Sequence, residues 1–203
     1  MAILSRFLQL SVGLLASTTV IAAPVEPRAV IGHDKVASFA ETVPGGTPGE
    51  VYKAYQPLLK VNNGCVPFPA VSANGDTGYF PKDSPSSGLG HRHDWEAVIV
   101  WLQSGTATNR ENILAVCPSA HGDFECSKSP NLDGVTPLIK YESIFPVNHA
   151  LGFTNIKGGK QPLIAWESLP EPARTALINT DFRDANVPFK DENFNNNLGR
   201  ANF

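Results

Sequence analysis

The sequence predicts a β-rich fold of the α+β class: a single-domain β-sandwich with short flanking helices. Three observations predict it. Short runs of β-branched and aromatic residues alternate with turn signals. Pro and Gly number 17 each among 203 residues, which keeps elements short and loops many. Only one segment, near residue 170, carries a complete helix-start signal. With 42% hydrophobic residues the chain can fill one core, and its length suits one domain. A net charge of −3 speaks against nucleic acid as a main partner, since that calls for a clustered basic surface.

Residues 1–22 read as a secretory signal. Arg6 supplies the charged start, residues 7–16 an apolar run, and small residues lead to a cleavage point after Ala22. As a helix the run would extend roughly 15 Å, half of a ~30 Å hydrocarbon core, so it is too short to span a bilayer. Residues 23–203 are then the folded domain, and its expected location is extracellular. Residues 24–50, rich in Pro, Gly and charge, predict an irregular arm with one helical turn near residues 35–41. Asn62-Asn63-Gly64 and Asn74-Gly75-Asp76 predict turns. Residues 94–102 form a β-branched and aromatic run that predicts a buried central strand. Residues 112–117, 137–142 and 162–167 predict shorter strands. Ser168 and Glu171 have capping-box spacing ahead of a helix over residues 172–178. Residues 190–198 predict a second helix, weakened by its Asn content.

Disulfides persist outside the cell, and three cysteines leave one over. Cys117 and Cys126 enclose a short polar segment, as a small covalent loop would. Closing it contributes about 2.7 kcal/mol on the chain-entropy account. Cys65 is the unpaired candidate. No two cysteines have the short paired spacing of a zinc site.

Chemistry concentrates between Tyr79 and Glu96. Asp94 and Glu96 lie two apart on a strand and share a face. His91 sits just before the strand, and Asp83 on a Pro-, Ser- and Gly-rich loop that suits a tight return. Three carboxylates with one neutral imidazole repel one another unless a cation sits among them. Oxygen-dominated donors favour Ca²⁺ or Mg²⁺ over Zn²⁺. Two other readings stand beside this one: a solvated charged rim, and acid–base chemistry by Asp94 and Glu96 in a hydrolase. Of the neighbours Arg92 and His93, one is expected to face inward and bond structurally.

The run Gly90-His91-Arg92-His93-Asp94-Trp95-Glu96 resembles the hallmark heptapeptide of the necrosis- and ethylene-inducing peptide 1-like proteins, the NPP1 family of secreted plant-pathogen toxins. Gly64-Cys65-Val66-Pro67-Phe68-Pro69-Ala70-Val71 and residues 79–90, 114–121, 141–150 and 185–190 are similar to that family too. The resemblance implies a β-sandwich related to actinoporins and fungal lectins, and a cytolysin rather than an enzyme. Such proteins bind the glycosylinositol phosphorylceramide head groups of plant plasma membranes and then damage the bilayer. The family's divalent-cation ligands fall on Asp83, His91, Asp94 and Glu96, with Gly90, Arg92, His93 and Trp95 supporting the motif. A second loop, engaging sugar and membrane, falls on Phe145 and His149. Phe145 stands where many relatives carry Trp, which suits the membrane interface better. Host immune receptors are further implied partners. The runner-up readings are a non-lytic binding module and a metal-dependent glycan hydrolase or lyase.

The chain departs from the family pattern at one place. Only residues 72–78 join Val71 to Tyr79, where relatives place a few dozen residues that include a central strand and the partner of the first cysteine. The recognised immune peptide of the family lacks its first half here for the same reason. Against the motifs the chain is short by about one strand and one cysteine.

Overall fold

A computed structural model of the chain describes residues 29–64, 66–79, 93–144, 148–183 and 185–203. The residues read as a secretory signal lie outside these, as do Asp83, Gly90, His91, Arg92, Phe145 and Cys65.

After strand β1 (Val30–Gly32), a 3-10 turn over His33–Lys35 stands in for the helical turn expected slightly later. Helix α1 (Thr47–Tyr55) then begins inside the arm expected to be irregular. Its signals were Pro48 in the first turn and the apolar pair Val51 and Tyr55 at helical spacing, both of which are buried. The Tyr55 hydroxyl lies 2.8 Å from the Asn109 carbonyl and accepts from the buried Asn112 amide at 3.1 Å, which ties α1 to a distant loop. Gly49 is required here, because a Cβ would fall 1.9 Å from the Pro44 carbonyl oxygen.

The larger sheet runs in the order β2 (Leu58–Val61), β8 (Thr136–Ile144), β9 (Asn148–Phe153), β5 (Ile113–Ala120), β4 (Val98–Leu102). The short strands β6 (Asp123–Phe124) and β7 (Leu132–Asp133) pair with β5 and β8. β2 joins β8 in parallel, and β8–β9 and β4–β5 are antiparallel. β5 meets β9 through one pair, Ala120 and Ala150. A separate parallel pair joins β1 to β3 (Thr77–Tyr79).

Three expectations need correction. The run 94–102 is not a central strand: ladder pairing covers only β4, which is half-buried and pairs only with β5 among the described residues. The run 162–167 is not a strand either. Among the described residues it carries a single bridge, Thr42 to Ile164, and it passes into a 3-10 turn at Trp166–Ser168. The capping box does not form. Helix α2 (Glu171–Asn179) has Pro170 at its N-cap, so Ser168 sits two residues too early and Glu171 at the first helical position. The Glu171 carboxylate accepts instead from Arg174 at 2.8 Å and Thr175 at 2.9 Å.

Helix α3 (Asp191–Arg200) matches the second helix expected, and its asparagines explain themselves. Asn193 and Asn197, four apart on one face, donate to the Val187 and Pro188 carbonyls at 2.9 Å each and dock the helix on the loop before it. The Cys117–Cys126 disulfide forms, linking the buried middle of β5 to the chain after β6. Beside it Ala201 is buried against Cys117 and Ala115, and its carbonyl accepts from the Trp101 indole at 3.1 Å.

The interior divides into separate clusters. One gathers Val71, Ala173, Ala176, Leu177, Phe182 and Val187 around α2. Another gathers Val116, Ile139 and Leu151 on the larger sheet, with Leu59, Val98 and Tyr141 packed on them.

Candidate functional site

The segment leading into β4 presents its side chains alternately, as an extended chain does. On one side, the His93 ring meets Phe182 edge-on at 5.0 Å, and Trp95 meets Phe182 at 5.5 Å and Phe189 at 5.9 Å. These contacts fix the segment to the α2 core cluster, and His93 takes the structural role expected of one of the two neighbours. On the other side lie Asp94 and Glu96.

Glu96 is positioned from β5. The Ser119 hydroxyl donates to the Glu96 carboxylate and accepts the Ala97 N–H at 2.9 Å. The Ser119 N–H returns to the Ala97 carbonyl at 2.8 Å. One serine therefore ties the segment before β4 to β5 and orients the carboxylate as well. Burial pushes the Glu96 carboxyl up to about 7, the Ser119 hydrogen bond pulls the other way, and the nearby Asp94 charge adds to the rise.

Asp94 is positioned from β9 and β8. Its Oδ2 lies 2.9 Å from His149 Nδ1, and the same nitrogen lies 3.0 Å from the Tyr141 hydroxyl. The carboxylate is the stronger acceptor, so the Nδ1 proton belongs to Asp94. The His149 side chain is 7% exposed and the Asp94 side chain 32%, so a fixed imidazole holds a carboxylate that still reaches solvent.

Two residues assigned separately on the sequence, Asp94 with the cation and His149 with the second loop, are thus in direct contact. Tyr141 and Ser119 were missed. Ser119 had one signal, a hydroxyl within the otherwise apolar β5. Tyr141 had none, since its role depends on the β8–β9 pairing. Asp83, His91 and Phe145 lie outside the described residues, so the expected ligand set is seen by half. Among the described residues no group of three or more His, Cys, Asp or Glu gathers as a metal would need. The half that is described fits a hard divalent cation. It consists of two neighbouring carboxylates, the Asp94 charge disfavouring ionisation of the half-buried Glu96, and such a pair is relieved by a +2 charge.

Asp94 and Glu96 sit on the wall of a cleft of about 1470 Å³ that runs between the two core clusters.

Comparison with known proteins gives concordant results. The family profile described as Necrosis inducing protein (NPP1) matches residues 49–79 and 77–201. NLP effector protein 10 of Phytophthora capsici is 41% identical over 215 positions, covering 85% of this chain and 92% of that protein. Necrosis-inducing protein NPP1 of Phytophthora nicotianae is 39% identical, covering 85% and 90%. A solved structure of NLPPya in complex with glucosamine superposes with a TM-score of 0.78 at 39% identity, covering 86% of this chain and 100% of that one. The relatives carry more chain. The 215 aligned positions of NLP effector protein 10 use 85% of 203 residues, so about 42 of them face nothing here. The family match breaks at residues 77–79.

Proposed function

The chain belongs to the necrosis-inducing protein (NPP1) family, and from that premise we propose that it is a secreted, non-enzymatic effector that binds sugar head groups of plant plasma-membrane sphingolipids through a divalent cation. Asp83, His91, Asp94 and Glu96 hold the cation, Ca²⁺ or Mg²⁺. When bound, it supplies open coordination positions for sugar hydroxyl oxygens. Asp94 is aimed by His149 and Glu96 by Ser119, so both carboxylates are set before a ligand arrives and little is lost in ordering them. Phe145 and His149 flank the sugar, with Phe145 meeting the membrane interface.

The observation that carries this reading is the Asp94–His149 contact, because it joins the cation half of the site to the sugar half. The reading is supported further by a relative whose structure holds glucosamine, and by relatives named as necrosis-inducing and effector proteins rather than as enzymes. Action outside the producing cell accords with those names and with the secretory signal read in residues 1–22.

Asp94→Ala tests it. The variant keeps its melting temperature within a few degrees but loses binding to vesicles carrying the glycosylated sphingolipid, and loses leaf necrosis with it. Necrosis at wild-type dose would refute the proposal, and release of free sugar from the lipid would move the protein to the hydrolases or lyases. The break in the family match at residues 77–79 favours a second reading, a binding module that recognises the head group without lysis. In that case vesicles bind the protein and retain an entrapped dye.

A further inference from the structure

The cleft of about 1470 Å³ is larger than a small-molecule pocket, which runs to about 300–1,000 Å³. Its walls are core. Val71, Trp166 and Leu177 on one side belong to or pack on the α2 cluster, and Leu59, Ile139 and Leu151 on the other belong to or pack on the larger sheet. A domain of this size ordinarily has one contiguous core packed without large voids. Here the cleft is what divides it.

Its dimensions match one missing element. A strand packed between two layers takes ~3.3 Å along the chain, ~4.8 Å to its neighbour and ~10 Å between layers, or about 160 Å³ per residue. The cleft therefore holds about nine residues, within the ordinary range of strand lengths. The family match breaks at 77–79, and there the chain has only the three-residue β3, paired with β1. About 42 positions of NLP effector protein 10 have no counterpart in this chain. With mostly apolar walls on both sides, and Asp94 and Glu96 on one stretch of them, the fitting occupant is a predominantly apolar extended segment.

We propose that this cleft is an open strand slot that takes, in trans, an extended apolar peptide of about nine residues from the segment that the relatives carry and this chain lacks. The peptide bridges the two half-cores and completes the fold, as strand addition does in other recognition modes. The slot shares a wall with Asp94 and Glu96, but its occupant is held by the two core clusters and not by a cation, so failure of the cation proposal leaves it standing.

The test uses the purified chain and overlapping synthetic peptides tiling the unmatched positions of NLP effector protein 10, each with a scrambled control. One window is expected to bind with one-to-one stoichiometry, to raise the melting temperature by several degrees, and to slow amide exchange at Ile139 and Leu151. A second variant carries, between Val71 and Tyr79, the residues that NLP effector protein 10 places at the break in the family match. It is expected to melt higher and to bind the same peptide at least about tenfold more weakly, because the slot is filled in cis. The proposal is overturned if no window binds, if scrambled peptides bind equally, or if the insertion leaves peptide affinity unchanged. Concentration-dependent dimerisation that protects the same amides would assign the slot to a second copy instead. Protection by detergent but not by peptide would assign it to an acyl chain.

Discussion

The Nδ1 of His149 lies 2.9 Å from Oδ2 of Asp94, across 55 residues of sequence, with the Tyr141 hydroxyl 3.0 Å from the same nitrogen. A buried ring on β9 thus sets the direction of a half-exposed carboxylate on the segment before β4. Second contacts of this kind commonly orient cation ligands.

His149→Ala should weaken head-group binding about tenfold, since a hydrogen bond to a charged group contributes about 1.5 kcal/mol. Tyr141→Phe should change it by about twofold or less, because Asp94 keeps its donor and only a neutral bond is lost. Vesicle-binding isotherms of both variants check this. In a double-mutant cycle Asp94→Ala and His149→Ala should be strongly non-additive.

Glu96 makes stability depend on pH. Its carboxyl is near 7 in the folded protein against 4.5 as the unperturbed value, so the folded state holds that proton more tightly than the unfolded chain. In the absence of divalent cations its contribution therefore falls as pH rises from about 4.5 through 7. Glu96→Gln keeps an acceptor for Ser119 and removes the buried charge. Chemical denaturation in chelator should find the variant more stable than wild type at pH 8, by up to about 3 kcal/mol, and nearly equal at pH 4.

Divalent cations should reverse that trend. Binding requires ionised Glu96, so a cation displaces its proton, and affinity should fall about tenfold per pH unit below 7. Chelation at pH 7.5 should lower the melting temperature of wild type and leave that of Asp94→Ala unchanged. Differential scanning fluorimetry with and without chelator reads both.

Replacing Cys117 and Cys126 together by Ala should cost about 2–3 kcal/mol from the opened loop. The C-terminus should loosen with it, because Ala201 packs on Cys117 and takes the Trp101 indole hydrogen bond. Faster amide exchange at residues 197–201 is the expected signature.

The β-rich class and the disulfide were legible in the sequence because each rests on local chemistry, β-branched runs and a short polar loop between cysteines; both C-terminal helices were placed as well, though the capping box that marked α2 does not form. The heptapeptide was legible for the same reason, and its alternation places His93 and Trp95 on the core and Asp94 and Glu96 opposite. What was not legible depends on partners distant in sequence. The run at 94–102 reads as central by composition, but its place in the sheet is set by which strands pair with it. The run 162–167 has strand composition yet among the described residues bridges only Thr42. Ser119 and Tyr141 act through pairings that spacing cannot reveal. The short join between Val71 and Tyr79 was visible as a length, but the split core it leaves is visible only in three dimensions.

The measurement closest to the central claim is calorimetric titration of Ca²⁺ or Mg²⁺ into the cation-free protein at pH 7.5, followed by titration of the soluble head-group glycan. The account predicts one cation per chain, glycan binding only in its presence, and loss of both in Asp94→Asn. Glycan binding that survives chelation, or a cation isotherm unchanged in Asp94→Asn, would contradict it.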